Sequence, residues 1–140
     1  MDILDTLRIS ASGMTAQRVR LQTVASNMAN ARTTRTEDGG PYQRKMPVFE
    51  AVETDVFGDM VERNMSRVEV VDIETDNDPG TLVYDPSHPD ANEEGYVAYP
   101  NVNILEEMVD MMTTSRTYEA NASVVGTTYE MARQALEIGR

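Results

Sequence analysis

Apolar side chains recur every seven residues through the first part of the chain. Segment 4–31 carries two such rows, offset by three and four positions, and Arg18 is their one break. A seven-residue period sustained over four heptads predicts a helix that packs along another helix in a left-handed supercoil. Periodicity alone leaves an ordinary core helix as the alternative. The predicted seam residues are Leu4, Leu7, Ala11, Met14, Leu21, Ala25 and Met28.

The end of the chain repeats this pattern over 104–138, where only Ser115 interrupts the rows. Asn103 before the segment and Glu106 three residues later predict a capped helix start, and Gly139 predicts its end. Two matching heptad helices are most simply paired with each other, and their remaining apolar surface indicates partner chains. The predicted seam residues here are Ile104, Met108, Met111, Tyr118, Ala122, Val125, Tyr129 and Leu136.

Short β signals and turn residues occupy the middle of the chain. Residues 68–70 and 71–73 alternate in opposite phases, which predicts a strand with a bulge. Residues 81–84 and 96–99 are further predicted strands, whereas 32–45 has the turn chemistry of a loop. The predicted fold is α+β: long terminal helices pair as a coiled coil around a small, irregular β-rich insertion. The expected divisions are an N-terminal helix region in 1–34, the insertion in 35–100 and a C-terminal helix region in 101–140.

Charge is distributed unevenly over the 140 residues, whose formal net charge is −12. Residues 1–49 carry seven bases and four acids, 50–94 carry two bases and fourteen acids, and 95–140 carry three bases and six acids. The centre therefore holds a surplus as large as that of the whole chain. Such acidity argues against a protein that binds nucleic acid or anionic lipid. It indicates instead that the insertion faces solvent.

The chain has no cysteine, so disulfides, thiolate zinc sites and cysteine nucleophiles are excluded. No apolar run approaches the roughly 20 residues that span a bilayer. The first residues include Asp2 and Asp5 where a signal peptide would carry positive charge. We therefore expect no cleaved signal, and any export would use a different machine.

Candidate chemistry is sparse. Glu74, Asp76 and Asp78 alternate as in a calcium loop, but Pro79 stands where an EF-hand requires glycine. His88 is the one histidine, and a Ser-His-Asp arrangement cannot be assembled from proximity in sequence. An acidic calcium-responsive module and a small hydrolase using His88 remain as alternatives, and solvated turn acids are the favoured interpretation. No catalytic residue, metal ligand or cofactor is predicted.

A signature lies near the end of the first predicted helix. Gly13 and the run 23–33, Thr-Val-Ala-Ser-Asn-Met-Ala-Asn-Ala-Arg-Thr, resemble the bacterial flagellar rod and hook family. The stretches 40–45, 83–91, 94–103, 106–109 and 115–121 extend the resemblance nearly end to end, toward a proximal-rod member. The signature residues are Gly13, Ser26, Asn27, Ala29, Asn30 and Thr33.

The resemblance implies a structural subunit that polymerises helically through its terminal helices, forming the drive shaft and lining the export channel. It implies self-association and contacts with FlgB, FliE, FlgF, FlgG and the inner-ring protein FliF. It also implies passage through the flagellar type III export apparatus without signal cleavage, and a place in the basal body within the periplasm. Another axial rod subunit, such as FlgB, is the alternative within the family. Free terminal helices are expected to be poorly ordered and to fold on their neighbours.

Overall fold

A computed structural model describes residues 3–37, 39–53 and 66–138, and Gly139, the predicted helix stop, lies outside them. Helix α1 spans Ile3–Ala29 and helix α2 spans Ile104–Ile138. Both predicted helices are confirmed, the second with the predicted bounds. The cap at Asn103 is also confirmed, because its side-chain oxygen accepts a hydrogen bond from the Leu105 N–H at 3.1 Å.

The first of two small sheets is an antiparallel ribbon of β1, Lys45–Glu53, and β2, Ser66–Thr75. Its register passes from Val48 opposite Asp72 to Phe49 opposite Val70, so Val71 has no partner. The predicted bulge is therefore confirmed at Val71. Strand β1 was not predicted, because Pro47 and an irregular apolar pattern obscure it in the sequence. A two-stranded ribbon tolerates proline, because each strand has one free edge.

Both further predicted strands are confirmed as β3, Thr81–Tyr84, and β4, Tyr96–Tyr99, and they pair antiparallel in a second sheet. Gly95 immediately precedes β4 with φ +82°, and a Cβ there would lie 2.9 Å from the Tyr84 ring. Glycine is required there by both the conformation and the space. The rings of Tyr84 and Tyr96 meet edge to face with centroids 5.2 Å apart.

Helices α1 and α2 pair antiparallel, and the β1–β2 ribbon lies against α1, where the Val68 N–H donates to Ser12 Oγ at 3.2 Å. The apolar core of the described residues is small: the buried apolar side chains are those of Ala16, Val24, Ala31, Tyr42 and Val97. Polar groups share that interior, among them Asn27 and Glu107. Neither helix in the described part of the chain combines the length and hydropathy needed to cross a membrane.

Candidate functional site

Three contacts between the two helices involve none of the predicted seam residues. A Cβ on Gly13 would lie 3.1 Å from Asn121 Nδ2. Arg20 Nη2 lies 3.9 Å from Asp110 Oδ2. Asn27 Nδ2 donates to Glu107 Oε2 at 3.1 Å. We call these three contacts the polar ladder; its α1 residues are seven positions apart and therefore lie in one row along the helix.

The α2 side of this interface is also polar. Thr114 and Thr128 are buried, and each hydroxyl donates to a backbone carbonyl four residues earlier, that of Asp110 or of Val124. Together with Glu107 and Asn121 they form a second row of period seven. This row of Glu, Thr, Asn and Thr contains no apolar residue, so the seven-residue pattern of apolar side chains gave no indication of it.

The predicted seam residues differ in their exposure. One row of α1 is half-buried: Leu7, Met14, Leu21 and Met28. The other α1 row is exposed: Leu4, Ala11, Ala25 and the polar break Arg18. On α2 the half-buried members are Met111 and Val125, with the polar break Ser115, and the exposed members are Ile104, Met108, Tyr118, Ala122, Tyr129 and Leu136. Apolar rows thus remain uncovered along both helices of the chain as described.

Asn27 of the signature is the centre of a buried polar node. Its amide is 1% exposed and makes four hydrogen bonds. Nδ2 donates to the Lys45 carbonyl at 2.9 Å and to Glu107, while Oδ1 accepts from the Tyr42 hydroxyl at 2.9 Å and the Lys45 N–H at 3.0 Å. Every donor and acceptor site of the amide is therefore satisfied. The node joins the end of α1, the start of β1 and the start of α2.

Glu107 completes the node as a paired charge. Its side chain is 1% exposed, and Arg44 Nε donates to Oε1 at 2.7 Å. That hydrogen bond raises the pKa of Arg44 above its ordinary value, and partial burial opposes the effect. Arg44 is also fixed by its backbone, whose N–H donates to Asn101 Oδ1 at 3.0 Å. A buried carboxylate requires such partners, because an unpaired one is strongly destabilising.

The other signature residues shape the exit from α1. Asn30 Nδ2 donates to the Ser26 carbonyl at 2.9 Å, and Thr33 Oγ1 donates to Asn30 Oδ1 at 3.2 Å. Ser26 Oγ lies 3.4 Å from the Tyr42 hydroxyl. Ala29 is exposed at the last helical position. The signature therefore ends the helix and holds the following loop against the node.

A second set of contacts involves His88 and Asp90. His88 Nδ1 accepts the Asp90 N–H at 3.1 Å. The Asp90 carboxylate accepts from Thr34 Oγ1 at 2.8 Å and lies 3.7 Å from Arg35 Nη1. His88 thus stabilises a turn, and Asp90 ties that turn to the loop after α1.

The acidic alternation of the centre also forms turns. Asp76 Oδ1 accepts the Asp78 N–H at 2.9 Å. Asp85 Oδ1 accepts from the N–H and the hydroxyl of Ser87, and these bonds hold the pKa of Asp85 below its usual value. Among residues 3–37, 39–53 and 66–138, no group of three or more potential metal ligands comes together.

Two family models match the regions that form the helices. One, described as flagella basal body rod protein, matches residues 7–35. The other, described as flagellar basal body rod FlgEFG protein C-terminal, matches residues 93–138. The matched regions contain most of both helices, the Asn27 signature and Glu107. These two matches place the chain in the class of flagellar basal-body rod proteins.

Relatives that match over their full length show to which family of rod proteins the chain belongs. The flagellar basal-body rod protein FlgC of Aquifex aeolicus is 46% identical over 138 residues, covering 98% of this chain and 97% of its own length. Those of Bacillus subtilis and Borreliella burgdorferi are 42% and 40% identical and cover 100% and 99% of this chain. The chain belongs to the FlgC family of flagellar basal-body rod proteins, and its role is that of a structural subunit of the rod.

Proposed function

We propose that this subunit polymerises helically through its terminal helices, which form an inner layer of the rod around the export channel. The observation that supports this is the uncovered apolar surface on α2. Tyr129 is 66% exposed and Leu136 is 76% exposed, and both belong to one heptad row. Large apolar side chains in a continuous row are typical of a surface that another chain covers.

The contact proposed here is heterologous. The exposed row of one copy packs on a different surface of the next, so the same contact repeats without closing and generates a helical filament. In this assembly, 1–34 and 101–140 supply the packed helical layer, and the acidic insertion in 35–100 lies outside it. The role is mechanical rather than enzymatic, since torque passes through many interfaces and no reacting group is involved.

The partners we propose are further copies of this chain, the rod proteins FlgB, FliE, FlgF and FlgG, and the inner-ring protein FliF at the rod base. The chain reaches the periplasm through the flagellar type III export apparatus without signal cleavage. These assignments rest on the family to which the chain belongs.

The test is a charge placed in the exposed row. Tyr129→Asp and Leu136→Asp should leave the stability of the free chain within about 0.5 kcal/mol, because both positions are exposed. In a strain that lacks its own copy of this subunit, both variants should abolish motility and rod assembly, because a charge in a packed interface is uncompensated.

Gln134→Asp is the matched control, since Gln134 is a polar residue exposed on the same helix. It should retain swimming, and all three variants should still be exported. Normal basal bodies with Tyr129→Asp and Leu136→Asp would contradict assembly through this row.

A further inference from the structure

We propose that the polar ladder selects α2 of the same chain as the partner of α1 and sets their antiparallel register. This goes beyond the proposed function, which concerns contacts between chains. It rests on that function in one respect: an assembled rod surrounds each α1 with α2 helices from other copies that could compete.

Apolar rows cannot make this selection. Hydrophobic contact is non-directional, and both helices carry apolar residues at the same seven-residue period. A shift of one heptad therefore places apolar side chains opposite apolar side chains again. In helical assemblies, single polar positions are what specify register and partner.

The rungs of the polar ladder differ chemically from one another. At the Gly13 rung the Asn121 amide approaches α1 so closely that an added Cβ would lie 3.1 Å from Nδ2. The Arg20 rung pairs opposite charges with Asp110. The Asn27 rung pairs an amide donor with a carboxylate. Three unlike rungs are all satisfied together in one alignment of the two helices.

The Asn27 rung fixes the register, because Asn27, Arg44 and Lys45 lie outside α2 and would stay in place if α2 shifted. Asn27 is bonded to both backbone groups of Lys45, and the neighbouring Arg44 reaches the same carboxylate of Glu107. Sliding α2 by one heptad would take Glu107 away from both partners at once. A buried carboxylate would then lose its pairing, and selection arises from that penalty on wrong alignments.

The test uses the absence of native cysteine, which makes an engineered pair unambiguous. The variant carries Gly13→Cys and Asn121→Cys, because a side chain added at Gly13 would meet that of residue 121 across the two helices. After mild oxidation of assembled rods, we expect a disulfide within one chain, seen as a monomer of altered mobility in non-reducing gels. Predominantly disulfide-linked dimers would overturn the proposal, because α1 would then pair with another copy.

Selection by the ladder is tested by Glu107→Leu in the double-cysteine chain. It should lower the ratio of within-chain to between-chain disulfide by about tenfold or more, because it removes the partner of Asn27 and Arg44. Glu106→Leu, at the exposed neighbouring position, is the control and should leave the ratio unchanged. An unchanged ratio with Glu107→Leu would overturn the selective role of the ladder.

The purified full chain in solution separates this proposal from the proposed function. A within-chain disulfide there that depends on Glu107, together with absent rods in cells, would contradict the polymerisation while supporting the ladder. Rods that assemble but carry mainly disulfides between chains would support the polymerisation and contradict the ladder.

Discussion

At the scale of single residues, the side chain of Asn27 is the centre of the buried polar node. Sequence alone placed it near a helix end, where asparagine commonly bonds local backbone. The structure instead buries it with four hydrogen bonds to three residues in two distant segments of the chain. The helix-end position was predictable, but its partners Tyr42, Lys45 and Glu107 are 15 to 80 residues away and no local pattern connects them.

Asn27→Asp tests the node with almost no change in volume. The new carboxylate oxygen would face Glu107 where an amide donor now lies 3.1 Å away. Two buried like charges at this distance repel, so we expect a loss of about 3 kcal/mol in the free energy of unfolding at pH 7. Urea denaturation followed by circular dichroism at about 100 μM chain, where association favours the helices, measures this loss. Gln22→Glu at an exposed site of α1 is the matched control.

The pH dependence of that loss has a definite sign. Repulsion raises the folded-state pKa of one of the two carboxyls above its unfolded value near 4, so the folded variant binds a proton that the unfolded chain does not. Stability of Asn27→Asp relative to the native chain should therefore recover as the pH falls from 7 toward about 5. A deficit independent of pH would indicate that the carboxylates do not face each other.

At the scale of elements, the sequence located the helices better than the surfaces by which they pair. Seven-residue periodicity predicted both helices, and the Asn103 cap predicted the start of α2. The same periodicity emphasised apolar rows and gave no indication of Gly13, Asn121 and the other ladder residues, which lie at the contact between α1 and α2. A polar row can be buried only if each member finds a partner, and partnership is a property of the assembled pair rather than of either helix.

The two helical glycines test how tightly the helices approach. Gly126 has open space where a Cβ would be added, so Gly126→Ala should raise the free energy of unfolding by up to about 1 kcal/mol through helix propensity. Gly13→Ala should gain less or lose stability, because the added Cβ lies 3.1 Å from the Asn121 amide.

Urea denaturation of both variants, also at about 100 μM chain, compares the two helical sites directly. Combining Gly13→Ala with Asn121→Ala should relieve the contact, and the two changes should be non-additive by more than about 0.5 kcal/mol. Equal gains at Gly13 and Gly126 would contradict the close approach of α1 and α2.

At the scale of the whole molecule, the acidic surplus lies in the centre of the chain, and a row of uncovered apolar side chains lies on α2. The acidic surplus belongs to residues 50–94, and the uncovered large apolar side chains of α2 lie along a helix near the end of the chain. Burial inside the described residues involves few large apolar groups, so the free chain gains little from folding its helices alone. Composition predicted the acidic insertion, but the extent of uncovered apolar surface required the structure.

The helix content of the chain should consequently depend on protein concentration. The 27 residues of α1 and the 35 of α2 would all be helical in the assembled subunit. A dilute chain should show less helix, because helices without a covered apolar face are only marginally stable in water. Circular dichroism at 222 nm from about 1 to about 100 μM should register a rise in helix as copies cover one another.

Leu136→Asp should flatten that rise, because it places a charge in the exposed row, while Gln134→Asp should preserve it. The comparison isolates association from any change in helix propensity, since both variants introduce the same residue on the same helix. Full helix content with a cooperative melt at the lowest concentration would mean that the chain orders its helices without neighbours. In that case the uncovered rows would serve assembly alone, and folding would be complete before a subunit joins the rod.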